Sequence, residues 1–158
     1  MYSVGEKGIA KVTSNRNTGS RYNGRDVQSH NVLIKTSGNE VVESYFEDDY
    51  FTVYPSSNAV RYPGAGIAFT VHYLRSFPQD FVIVSDDDSP WALSLRCAKL
   101  GQTLNEARAK YDFDPAKGPY RQSYVDSIHQ YIDGKCYSND AVLQGYRRII
   151  ENVDAGVK

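Results

Sequence analysis

The run HNVLIKTSGNEVVESYFEDDYFTVYPSSNAVRY, residues 30–62, decides how the chain is read. Val32 and Ile34 share one face of a first strand, and Phe51 and Val53 share a face of a third. Between them, Val42, Ser44 and Phe46 share a face of a second strand, or else Val41 and Tyr45 do. Such alternation marks half-buried antiparallel strands. Ser37-Gly38-Asn39 supplies the first turn and Glu47-Asp48-Asp49 an acidic second one.

Working outward toward the N-terminus, Gly8–Ser14 (GIAKVTS) reads as an earlier strand. Asn15–Ser29 (NRNTGSRYNGRDVQS) is the longest polar segment, with Asn23-Gly24 suited to positive φ. We read it as a mobile basic loop with a short hairpin at that pair, and as a candidate binding arm. Toward the C-terminus, Pro63-Gly64-Ala65-Gly66 breaks the chain, and Ile67–Leu74 (IAFTVHYL) alternates again, ending at Phe77-Pro78. Phe81–Val84 (FVIV) has the continuous apolar character of a central strand.

After Val84 the period changes. Ser89 as N-cap, Pro90 at the first helical position and three preceding aspartates predict a helix from Trp91 to Leu100, stopped by Gly101. Trp91, Leu93, Leu95 and Cys97 also alternate as a strand would, but the start and stop signals agree on helix. Thr103-Leu104-Asn105-Glu106 is a capping box for a short helix to Tyr111, followed by a linker from Asp112 to Gly118. The stripe Tyr120, Tyr124, Ile128, Tyr131 and Ile132 predicts a helix ending at Gly134. Val142, Tyr146, Ile149, Ile150 and Val153 predict a last one, capped by Ser138 or Asn139. The expected fold class is α+β: one domain, residues 1–158, with an antiparallel meander of about six strands covered on one face by C-terminal helices.

Composition narrows the function classes. With 158 residues, 41% hydrophobic and 23% charged, the chain can bury a real core. No apolar run reaches membrane-spanning length, and the first residues lack the apolar core of a secretory signal. Cys97 and Cys136 are too few for a disulfide framework, so we expect a cytoplasmic protein with both thiols buried or inert. With a net charge of −1 the chain as a whole is no polyanion binder, although its basic arm keeps nucleic acid in play. The charge is uneven, however. Five bases (Lys7, Lys11, Arg16, Arg21, Arg25) precede His30 against Glu6 and Asp26, whereas residues 40–49 hold five acids and no base.

No catalytic signature is present. Asp86 and Asp88 follow an apolar strand, a place where Mg²⁺ carboxylates sit, with Glu43 as the strand carboxylate available for a third ligand. A solvated turn beside a helix start explains them more simply. Pro63-Gly64-Ala65-Gly66 could form a phosphate nest but lacks a Walker lysine and a following helix. His72 has no nucleophile placed by any motif, and His30 and His129 lack zinc-site spacing. No cofactor is expected.

Tyrosine is the compositional outlier, with 13 copies. Arg16, Arg21, Tyr22, Arg25, Tyr54, Arg61, Tyr62 and Arg75 are the candidate binding residues. Aromatics on an antiparallel sheet with arginines at its rim suit a protein interface, or stacking of nucleotides or a single strand. With net charge near zero and no RNP-like or GXXG pattern, the protein interface ranks first.

The segments VTSNRNTGSRYNGRDVQSHNVLI at Val12–Ile34 and TVYPSSNAVRY at Thr52–Tyr62 resemble the opening of small accessory proteins of tailed bacteriophages. That resemblance covers roughly the first 60 residues and implies a small cytosolic protein that binds and blocks a host or defence protein. It transfers no catalytic residue. The expected function is thus a non-enzymatic binding protein. Its alternatives are a nucleotide or single-stranded nucleic-acid binder and, last, a Mg²⁺-dependent phosphoester enzyme.

Overall fold

The computed structural model describes residues 5–48, 52–56 and 61–156. The fold is α+β: a six-stranded mixed sheet followed by three helices. The strands are β1 (Glu6–Tyr22), β2 (Arg25–Lys35), β3 (Val41–Glu47), β4 (Val53–Tyr54), β5 (Ala68–Leu74) and β6 (Phe77–Val84). The helices are α1 (Pro90–Phe113), α2 (Gly118–Asp133) and α3 (Asp140–Asp154). Two compact units are formed, one ending at Leu95 and the other beginning at Arg96. Among the described residues no helix is long and apolar enough to cross a membrane.

In the first unit the strand order is β3-β2-β1-β5-β6-β4. β1 is the shared strand, antiparallel to both β2 and β5, so the meander is interrupted by the return of β5 to the far side of β1. β4 pairs with β6 in parallel, which makes the sheet mixed where a purely antiparallel one was expected. The expected third strand from Phe51 shrinks to Val53–Tyr54, and Phe51 itself lies outside the described residues. Phe77 and Pro78 open β6 where they were expected to end its predecessor.

The sheet curls on itself. Ser44 Oγ on β3 donates 2.7 Å to the Gln79 carbonyl on β6, and Ile83 N–H donates 2.6 Å to Thr52 O. The result is a curled six-stranded sheet, a partly open barrel in which the edge strand β3 approaches β6 while β4 pairs with β6 as the other edge. Its interior takes one side chain in two from each strand: Ala10, Val12, Val32, Ile34, Phe46, Phe69, Val71, Tyr73, Phe81 and Ile83. Of the two faces possible for β3, Phe46 is the buried one and Val41 and Tyr45 face out. Trp91 and Ala92 complete this core, Trp91 edge-on to Phe69 at 6.4 Å. Gly8 has a packing reason, because a Cβ there would lie 3.0 Å from both Lys35 O and the Tyr73 ring.

The Asn15–Ser29 segment is an ordered two-stranded ribbon, contrary to the mobile loop expected. Ladder pairs run from Asn15–His30 to Tyr22–Arg25, with register shifts at Val12/Ser14 and Asn17/Arg21. Asn23 (φ 50°) and Gly24 (φ 77°) form its two-residue turn, the left-handed pair that a tight hairpin requires. Polarity misleads here, since an exposed ribbon needs neither face apolar.

In the second unit α1 runs unbroken through Gly101, and the predicted stop and restart there do not occur. Thr103 hydroxyl donates to Lys99 O one turn back instead of capping a new helix. Asn139 caps α3, accepting from Val142 N–H at 3.0 Å. The stripes of α2 and α3 close on α1 and on each other around Leu104, Ala107, Tyr124, Ile128 and Val153. Cys97 and Cys136 form a disulfide with Cα atoms 5.3 Å apart, which corrects the expectation of two inert thiols. Gly134 ends α2; a Cβ there would meet Leu100 Cδ1 at 2.6 Å and Cys136 Sγ at 3.3 Å.

Candidate functional site

The outer face of the barrel follows from strand register. On β2 the residues Asn31, Leu33 and Lys35 point out, opposite Tyr45, Glu43 and Val41 of β3. Leu33 faces Lys11 and Lys35 faces Ile9 on β1. Tyr45 is 55% exposed, Ile9 58% and Val41 60%, so Ile9 and Val41 stand in water on either side of Lys35, and Tyr45 stands two positions along β3 beyond Glu43. Exposed apolar side chains clustered in this way mark a contact surface more often than scattered ones do.

This face continues into the ribbon. Arg16, opposite Ser29, is exposed, as are Tyr22 and Arg25, which face one another at the tip. Arg21 Nε is 2.9 Å from Asp26 Oδ1, an exposed pair worth little in stability that aligns the two side chains near the turn. Below the ribbon, His30 Nε2 is 2.6 Å from Asp48 Oδ1 and its ring stacks on Phe46 at 4.6 Å. The Tyr62 hydroxyl donates to Asp48 O, and its ring lies 5.7 Å from Phe46. Tyr62, expected as a surface contact, therefore anchors the base of the ribbon from inside. Gln28 N–H also donates to Asp48 Oδ2.

The other expected residues are not brought to this face. Tyr54 lies on β4 and is exposed there, while Arg61 is exposed in the connection to β5. Arg75 Nε is 2.6 Å from Glu6 Oε1, at the end of β1 farthest from the ribbon tip. Hydrogen bonds from Ser37, then Arg75 and Tyr73, hold the Glu6 carboxyl below the usual glutamate range against the opposing effect of burial. Lys11, Leu33, Lys35 and Tyr45 were missed. Their strict alternation with Val12, Val32, Ile34 and Phe46 was the available signal, used only to find the core.

Asp86, Asp87 and Asp88 line a hollow with Lys7, Ile9 and Thr70. Glu43 lies elsewhere, in a hollow with Thr13, Asn31 and Tyr45, so the three carboxylates considered for Mg²⁺ do not converge. Among the described residues no group of three or more potential metal ligands occurs. Asp87 has a structural role. Burial pushes its pKa up, but hydrogen bonds from Thr70 and Ser89, with Lys7 nearby, outweigh that and leave it below the usual aspartate range. Its Oδ1 accepts from Ser89 N–H at 3.0 Å at the start of α1. A carboxyl depressed in the folded state stabilises above its unfolded pKa and loses that contribution as pH falls through the folded value. Thr70→Val is thus expected to raise the Asp87 pKa, read by carboxyl NMR titration, and to weaken stability at neutral pH more than at acid pH.

No protein-family model matches the chain, and neither a curated protein nor a solved structure matches it.

Proposed function

We propose that the protein is a non-enzymatic binder of single-stranded nucleic acid, held along the outer face of β1–β3 and the β1–β2 ribbon. The observation that carries this reading is an outer face on which Leu33 lies opposite Lys11 and next along β2 to Lys35, with exposed Tyr45 one row further on beyond Glu43, and which runs into Arg16, Tyr22 and Arg25. β2 has 11 residues and spans about 35 Å, a track for several nucleotides. Tyrosine rings stack on any base, and basic side chains take the phosphates. A duplex suits the site less well, because the platform needs unstacked bases.

Fluorescence anisotropy with a labelled oligothymidylate tests the proposal. Four phosphate contacts, from Lys11, Lys35, Arg16 and Arg25, predict a slope of log K against log salt of about −3. Tyr45→Ala and Tyr22→Ala should each weaken binding about 5- to 150-fold, the range for one stacked base. Flat anisotropy at low salt would sink the reading.

A second reading, a phage-type accessory protein that binds and inhibits a host or defence protein, draws support from mixed charge. Asp26, Glu43 and Glu47 stand among the cations, and Arg21 is paired. Capture of one stoichiometric protein, unaffected by nuclease and lost with Arg21→Ala/Tyr22→Ala, would favour it. The cytoplasmic setting belongs to the same proposal, and the Cys97–Cys136 bridge bears on it. Cytosolic reductants keep most thiols free. Thiol trapping in intact cells is expected to find the pair protected if the bridge forms there, which would place the protein in an oxidising compartment, whereas alkylation of both cysteines would favour the cytoplasmic setting.

A further inference from the structure

A groove of about 550 Å³ shares Lys11, Leu33 and Lys35 with the track described above and adds Ile9, Val41 and Ala65, which that track does not use. Its floor is Ile9, Leu33 and Val41, and its wall is the segment at Ala65. Gly66 N–H donates 3.0 Å to Val12 O, and Val12 and Ala65 form a parallel bridge, so the wall is tied to β1 by backbone bonds. The volume lies within the range of small-ligand sites. No acid lines it; Lys11 and Lys35 do, and Glu43 belongs to the adjoining hollow.

We infer that this groove is a base-binding subsite, taking one nucleobase turned out of the strand while Lys11 and Lys35 hold the phosphates on either side. The inference rests on the single-strand reading above and adds to it where one base is held by burial. Register supports the geometry. Lys11 pairs with Leu33 and Ile9 with Lys35, so the two lysines are diagonal neighbours across β1 and β2. Diagonal pairs have Cα atoms roughly 7–8 Å apart, a span comparable with successive phosphates of an extended strand. Apolar floor, bridged wall and flanking cations together match a flat, weakly polar ring carrying charge only on its backbone. A purely apolar ligand would leave both lysines without a role, and an acidic peptide would leave the floor without one.

The test separates burial from charge. Ile9→Ser and Val41→Ser change exposed side chains, and the full-length variants should melt within a few degrees of the parent. Should either melt early, Ile9→Thr and Val41→Thr keep the β-branch and repeat the measurement. Titrated with labelled oligothymidylate, the double variant is expected to bind about tenfold more weakly with an unchanged salt slope. Lys11→Gln/Lys35→Gln is expected to reduce the slope by about 1.4. An oligonucleotide carrying 5-iodouracil should photocrosslink to the peptides holding Ile9 or Ala65. Parental affinity in the double variant, with oligonucleotide binding otherwise intact, overturns the subsite and leaves the single-strand reading standing. So does self-association abolished by those substitutions alone, which would assign the groove to a second copy. Absence of any oligonucleotide binding by the parent overturns both.

Discussion

Phe46→Ala is expected to cost about 3–5 kcal/mol of unfolding free energy, measured by urea titration. Phe46 is 1% exposed and sits where β3 meets β6, edge-on to Phe81 at 6.3 Å. It is also the platform on which the His30 ring stacks and against which Tyr62 leans. Removing its ring opens a cavity at the seam where β3 approaches β6, a contact tied, among the described residues, by the Ser44 Oγ bond to Gln79 O and not by a strand ladder. Domains of this size have about 5–15 kcal/mol in total, so the loss is a large fraction of stability. Amide exchange should rise first in β3 and at the base of the ribbon. Phe46→Leu should recover much of the loss while leaving His30 without its stacking partner. If Phe46→Ala melted like the parent, the seam would not be packed as described.

Breaking the Cys97–Cys136 bridge is expected to destabilise the helical unit by about 4 kcal/mol, the loop entropy for a sequence separation of 39. For a unit of this size that corresponds to a fall in Tm on the order of 15–30 °C. The bridge joins α1 to the connection between α2 and α3, where the Arg96 guanidinium also bonds Gly134 O at 3.1–3.2 Å. Cys97→Ser/Cys136→Ser and the parent with a phosphine reductant should melt alike. The barrel core contains neither cysteine, so β-strand amide protection should persist. Equal melting with and without reductant would show the bridge to be dispensable.

Much of the fold was legible because local pattern and burial agree in it. Phe69, Val71 and Tyr73 alternate and are all buried, and Ser89-Pro90 does begin α1. The failures share a cause. Gly101 and the Thr103–Glu106 box carry stop and start signals worth a kcal/mol or so each, and continuous packing of Leu104 and Ala107 against α2 outweighs them. Pro78 reads as the end of β5, yet proline at the second position of β6 is tolerated because, among the described residues, β4 pairs with β6 only at Ile83 and Val84 and leaves the Pro78 end unpaired on one side. For the site, Arg16, Arg21, Tyr22 and Arg25 were found because a basic polar run is visible as composition. Lys11, Lys35 and Tyr45 were not, because their importance lies in being neighbours across three strands.

The sequence by itself determined the strand-then-helix order, the hairpin at Asn23-Gly24, the inward residues of the main strands and the caps of α1 and α3. Each depends on side chains within a few positions of one another, where alternation, φ preference and short-range hydrogen bonding act. Only the tertiary structure decided that β5 returns to β1, that the sheet curls until β3 meets β6, and that the polar arm is a ribbon. It alone joined Cys97 to Cys136 and set Ile9, Leu33 and Val41 beside Lys11 and Lys35. Those outcomes turn on which distant apolar faces close on each other most completely, and one chain's local pattern is compatible with several such closures.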